Sequence, residues 1–422
     1  MTEHLLDVMS CDLELMGVIK KTPEKETTIF YHDNFDNYQG RILKVAAFLR
    51  ANFLTPDHWS PGKMFNAFIV TVFCCGAIYS VFFSFKASLE DKHTPYEMAS
   101  NLTTISWSVQ AIVSMVFIIY WQLYGHLKSY HRHIMNCQHG AGLAHGKDLI
   151  NTNIRWFYFM TVTCVIGILL FEVKFYTETE HTDFSEKKSR MFYYKELRPL
   201  NTAIILYTYI IWNVSMFLYI TYINTAFVEV RFFNHQMEEL DGASLDLEKE
   251  LLKKIEVYGR LAGVIRELDR IFRLYAFIMV VIIIPSVTFT LMMMNQQIHS
   301  WKDLIFCLPG IALCAYSFLG VTVAPARLHE EVNRSKSCLL QNSTIWFPYR
   351  KDVYQIATTL CQHMEQYDLG ISIWGFAIVS RPLILATFSV MTMVLSLLIE
   401  LSPSQSLVAH HNHTHILTHR KV

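Results

Sequence analysis

The stretch GFAIVSRPLILATFSVMTMVLSLLIEL, residues 375–401, decides how this chain is read. From Pro382 it runs apolar and uncharged up to Glu400, which stands beside Leu401. A helix needs about 20 mostly apolar residues to cross the hydrocarbon core of a bilayer, so 382–401 is long enough to span. A carboxylate at the end of such a helix either meets water at the interface or stands in a water-filled path.

Six stretches upstream qualify in the same way: 64–85, 105–123, 156–173, 202–227, 274–294 and 304–324. The chain has 422 residues, 52% hydrophobic and 17% charged, richer in apolar residues than a typical soluble domain. Lipid leaves a spanning backbone only helices or closed barrels, so the expectation is an all-α membrane protein with seven transmembrane helices, multi-pass in the plasma membrane. Basic and acidic residues balance at 36 each, which suggests no nucleic-acid partner.

Residues 1–63 are polar and mixed in charge, without the apolar core of a secretory signal, and read as a cytoplasmic N-terminal segment. Residues 64–401 read as the seven-helix domain and 402–422 as an extracellular tail. Lys and Arg are about equally dense on both sides, so charge alone does not orient the chain. The long connections follow spans two, four and six, which puts the bulk on the face that carries the N-terminus. The topology expected is therefore N-terminus cytoplasmic and C-terminus extracellular, with helices extended into a cytoplasmic layer. Under it none of the nine cysteines lies in an outer loop, which excludes an extracellular disulfide framework.

Leu251, Ile255, Tyr258, Ala262 and Ile265 recur at helical spacing before the fifth span, while Lys253, Lys254, Arg260, Glu267 and Arg270 take other faces. That pattern predicts an amphipathic helix running unbroken into span five, after a turn at Asp241-Gly242 with Ser244 as cap. His329-Glu330-Glu331-Val332-Asn333 lacks the second histidine of a zinc-protease helix. The tail histidines His410, His411, His413, His415 and His419 have no Cys or Asp beside them to close a metal site. No metal, no cofactor and no enzymatic activity are expected.

Gly375-Phe376, then Arg381, then a long apolar run closing in Glu400-Leu401, resembles the last-span signature of the insect gustatory and odorant receptor superfamily. Ser380, Met393-Val394 and Glu400 replace the Asn or Asp, the Thr-Tyr and the Gln of that signature. With YGRLAGVIRELDRIF before span five and HEEVNRSKSCLL after span six, the resemblance covers about the last 200 residues. Its divergence is similar to that of nematode gustatory-like members, the serpentine receptors of the R class. The resemblance implies a stimulus-gated cation channel of four subunits, homomeric or built with same-family partners. In such a channel the seventh helix of each subunit lines one pore. On that implication Met393, Leu397, Glu400 and Leu401 share the pore face. Leu397 and Leu401 would form rings that close by dewetting, and Glu400 a ring of carboxylates that draws cations.

In the outer halves of spans two, three and four lie Trp107, Gln110, Phe171 and Tyr207. Aromatics with a few polar groups suit a pocket for a small-molecule stimulus. Trp and Tyr also gather wherever a helix crosses the interface, so the same residues fit a purely structural role. The alternative function is a G-protein-coupled serpentine receptor. Against it, the third span lacks an Asp/Glu-Arg-Tyr turn and the seventh lacks Asn-Pro-x-x-Tyr.

Overall fold

The computed structural model describes residues 49–51, 60–90, 95–138, 141–178, 198–297, 301–365 and 368–401. The histidine tail and most of the N-terminal segment lie outside the described residues. Eleven helices are described: α1 (Pro61–Glu90), α2 (Pro95–Leu123), α3 (His126–Gln138), α4 (Ala141–His145), α5 (Lys147–Glu178), α6 (Arg198–Glu238), α7 (Leu247–Gln297), α8 (Trp301–Gln341), α9 (Ser343–Trp346), α10 (Lys351–Glu365) and α11 (Arg381–Leu401). Two short strands, β1 (Ser372–Ile373) and β2 (Ala377–Ile378), pair antiparallel just before α11. Seven of the helices (α1, α2, α5, α6, α7, α8 and α11) are long and apolar enough to cross a membrane.

Local chemistry sets the ends of these helices. Ser60 caps α1, its Oγ accepting the Lys63 N–H, and Pro61 takes the first helical position, where a missing N–H costs nothing. The α6–α7 turn forms where the sequence places it. Asp241 Oδ1 accepts the Ala243 N–H at 2.9 Å and Ser244 Oγ the Asp246 N–H at 3.3 Å. Gly242 is required there, because a Cβ would stand 1.8 Å from the backbone oxygen of Thr344.

At 1.5 Å rise per residue, α6 and α8 with 41 residues and α7 with 51 are about 60 to 75 Å long, roughly twice the hydrocarbon thickness. All three therefore run on beyond the membrane, and α3, α4, α9 and α10 gather around their extensions as a polar layer. The amphipathic pattern read at 251–265 is continuous with span five. Leu251, Tyr258, Ala262 and Ile265 are buried and Lys253 and Arg260 exposed, and the helix packs on α2, α3 and α10 of its own chain.

The bundle is organised around α6, of whose most apolar window 72% is buried, against 6% for α11. It packs along α8, α2 and α5. Small and hydroxyl residues let the helices approach: Ser215 Oγ donates to Ser114 O at 3.1 Å, and Tyr219 OH to Val321 O at 3.1 Å. Trp121, Phe272, Tyr275 and Tyr219 make the aromatic centre where α2, α6 and α7 meet, with Trp121 edge-on to Phe272 at 4.9 Å.

Candidate pore helix, its clasp and a polar seam

The root of α11 is built by the residues that carry the last-span signature. Gly375 has φ +80° in the tight turn between β1 and β2, a conformation open to glycine at no steric cost. Phe376 follows at the tip, 84% exposed. The hairpin was not legible as strands, since two residues on each side give no alternation.

Two helices hold this hairpin. On α7, Asp269 Oδ1 accepts the Ser372 N–H at 2.6 Å and the Ser372 Oγ–H at 2.8 Å, and Ser372 Oγ in turn accepts the Gly375 N–H at 3.1 Å. The Trp374 ring meets Phe277 of the same helix edge-on at 4.9 Å. On α8, one turn of the HEEVN segment makes three contacts. His329 Nδ1 lies 3.0 Å from Leu369 O, Glu330 pairs with Arg381 at 2.5 Å, and Glu331 accepts from Asn234 Nδ2 at 2.9 Å. The Glu330–Arg381 pair is exposed on both sides and contributes about 0–1 kcal/mol, so its effect is to position the first residue of α11.

Beyond its root α11 packs chiefly on α7. Ile384, Thr387, Met391, Val394 and Leu398 recur at steps of three and four and are the covered side. The opposite side carries Leu385, Ser389, Thr392, Ser396 and Glu400, all exposed, with Met393 (60%) and Leu397 (51%) flanking them. Met393, Leu397 and Glu400 thus lie on or beside the free face; the side chain of Leu401 lies outside those described. The hydroxyl stripe was overlooked in the sequence, although its spacing of three, four and four down to Glu400 could have revealed it. Ser389 Oγ donates to Leu385 O at 2.9 Å, Thr392 Oγ1 to Ser389 O at 2.8 Å and Ser396 Oγ to Thr392 O at 3.0 Å. Each hydroxyl proton is spent on the helix's own backbone, which leaves oxygen lone pairs directed away from it.

The four residues read as a stimulus pocket take separate places. Trp107 faces α8, where a Cβ on Gly310 would lie 3.3 Å from its ring. Tyr207 turns to α1, stacked on Phe73 at 4.0 Å, with its OH donating to Leu49 O at 3.0 Å. Gln110 is buried and its Nε2 has no partner among the described residues. The side chain of Phe171 lies outside those described. Residues that sequence reasoning passed over make a more continuous group on the half of the bundle away from the polar layer. Tyr209 lies edge-on to Trp212, which lies edge-on to Tyr316 at 5.6 Å. Trp212 Nε1 and Tyr316 OH are buried without a partner among the described residues. Buried polar atoms ordinarily find partners, so the unmet Trp212 Nε1 and Tyr316 OH, on adjacent rings of α6 and α8, mark a seam with unused hydrogen-bonding capacity.

Seven helices long and apolar enough to span, three of them continued into one polar layer and the last rooted in a clasped hairpin, make up the fold of the described residues. Among solved structures, the insect olfactory receptor OR5 from Machilis hrabei matches with a TM-score of 0.66 at 10% identity, over 86% of this chain and 99% of that one. The same receptor in complex with eugenol matches with a TM-score of 0.58 at 11% identity, over 87% and 99%. No protein-family model and no curated protein matches the sequence. The resemblance read from the last span therefore holds at the level of the fold: this is an all-α, multi-pass membrane protein of the olfactory-receptor architecture.

Proposed function

We propose that this protein is a chemosensory receptor of the gustatory-receptor type in the plasma membrane, a stimulus-gated cation channel made of four subunits whose last helices line one pore. The observation that carries the reading is the free face of α11. A helix facing lipid on that side would place four polar side chains, one of them a carboxylate, in contact with hydrocarbon. A water-filled axis shared by four copies suits them. The hydroxyl oxygens of Ser389, Thr392 and Ser396 would replace part of a cation's hydration, and Glu400 would raise the local cation concentration at one mouth. Met393, Leu397 and Leu401 would supply the apolar constriction, and same-family subunits could complete the ring.

The stimulus in this reading is a small organic molecule. The neighbouring receptor solved with eugenol supports that class. So does the seam of Trp107, Gln110, Tyr209, Trp212 and Tyr316, whose unmet donors and aromatic faces suit a ligand with one or two oxygen atoms. The expected topology is N-terminus inside and C-terminus outside. The testing experiment is whole-cell recording under ion substitution, with Glu400→Gln beside the wild type. A tenfold effect corresponds to about 1.4 kcal/mol, and exposed charges interact by about 1 kcal/mol at 4 Å in water. The expected result is therefore a modest loss of cation preference and of calcium block with gating kept. Selectivity and block both unchanged would make Glu400 a helix end at the interface.

A further inference from the structure

A buried carboxylate in the polar layer has no part in the channel reading. Glu229 of α6 is fully buried, within the run FVEVRFF. Its Oε1 accepts the Leu143 N–H of α4 at 2.9 Å. A Cβ on Gly142 would stand 2.7 Å from the carboxyl carbon and 2.8 Å from Glu229 Cα, so α4 closes on this side chain through a glycine. Gln138 Nε2 ties the end of α3 to Glu229 O at 3.1 Å. The other oxygen, Oε2, is buried with no hydrogen-bond partner among the described residues. The sequence of α3, HLKSYHRHIMNCQ, is too polar for hydrocarbon, which places this level of α6 in the aqueous layer.

Among the described residues no cation is recorded in a pair with the carboxylate. On α3 the groups facing it are Tyr130 and Cys137, both pushed up by burial and neutral near pH 7. Arg260 of α7 reaches Asn136 O and the neighbourhood of Cys137. His145 of α4 sits against Phe232 and His235 of α6, and His235 pairs with Glu239. Lys147 and Asp148 of α5 and Arg231 of α6 are exposed.

We propose that Glu229 is a proton-operated latch: protonated, it holds the turn 141–146 between α3 and α5 against α6, and ionised, it releases that turn. A buried charge that lacks a cationic partner is unfavourable, and the Leu143 amide offsets only part of the lost hydration. Burial pushes the carboxyl up to about 7 from its ordinary 4.5. With the closed form binding its proton more tightly than an opened, hydrated one, closure is strongest below the ordinary value and weakens as pH rises through the interval. The opening constant should therefore climb roughly tenfold per pH unit from about 5 to about 7 and level off above. Near neutral pH the closed carboxyl is about half protonated, and acidification tightens the latch.

The test is hydrogen–deuterium exchange at the amides of 141–150 in the purified full-length protein from pH 5 to 8, with the intrinsic pH dependence of exchange divided out. It needs no channel activity, so its failure is separable from failure of the channel reading. The wild type should show the climb and plateau. Glu229→Gln, neutral and still able to accept from Leu143, should be flat. A flat wild type, or a slope retained in Glu229→Gln, overturns the latch. Should the variant fail to fold, the wild type alone decides: a slope confined to 141–150 supports it, and the same slope at the α6–α8 contact around Asn234 overturns it.

Discussion

Asp269 and Ser372 meet through one carboxylate oxygen that accepts both the backbone and the side-chain proton of the serine, at 2.6 and 2.8 Å. This contact fixes the hairpin that roots the last helix on α7, just before the free face begins at Leu385. Hydrogen bonds to an ionised group contribute about 1.5–3 kcal/mol each, and less where water competes, as at the half-buried Asp269. Asp269→Ala and Ser372→Ala should each lower the thermal midpoint in detergent, and the double variant should cost less than their sum by about 1–2 kcal/mol. Strict additivity would show that the pair carries no coupling.

Glycines separate packing from chain entropy. Gly242→Ala drives a Cβ into the Thr344 backbone and should destabilise by about 1–3 kcal/mol. Gly259, exposed inside α7, has nothing within 4 Å of the added carbon. Gly259→Ala should stabilise by about 0.5–1 kcal/mol. Thermal unfolding of the two variants beside the wild type checks both signs; a shift in the same direction for both would contradict the packing described.

The helices, the turn at Asp241 and the buried face of 251–265 were legible because each follows from local periodicity or from turn chemistry. The seven apolar runs are long, and their continuation past the membrane shows as charge returning at helical spacing. The hairpin at Ser372–Ile378 was hidden because two residues on each strand give no alternation to read, and the Asp269 contact lies more than a hundred residues away in sequence. The side of α11 left free depends on where α7 packs, which sequence spacing cannot supply. Counting back from Glu400 found Met393 and Leu397 but passed over the hydroxyls beside them. Glu229 could have been noticed as a lone carboxylate in an aromatic run, but its partners, Gly142 and Leu143, are set by the tertiary fold.

The unmet amide of Gln110 separates stability from binding. Gln110→Leu removes a buried donor with no partner among the described residues and should stabilise the ligand-free protein by up to about 1–3 kcal/mol, read as a higher thermal midpoint. If the seam with Trp212 and Tyr316 takes the stimulus, the same variant should weaken the response to oxygen-bearing ligands. Dose–response curves with thermal melts decide it. A loss of stability together with an unchanged response would remove Gln110 from the seam's function.

The most direct measurement is cysteine modification along α11 during recording of the open channel. Ser389→Cys and Ser396→Cys stand on the free face, whereas Met391→Cys stands on the covered one. With a charged water-soluble thiol reagent, and a wild-type control for the native cysteines, current through the Ser389 and Ser396 variants should fall on modification and the Met391 variant should not respond. Modification of Met391→Cys alone, or of none of the three in a conducting channel, would contradict a pore lined by this face.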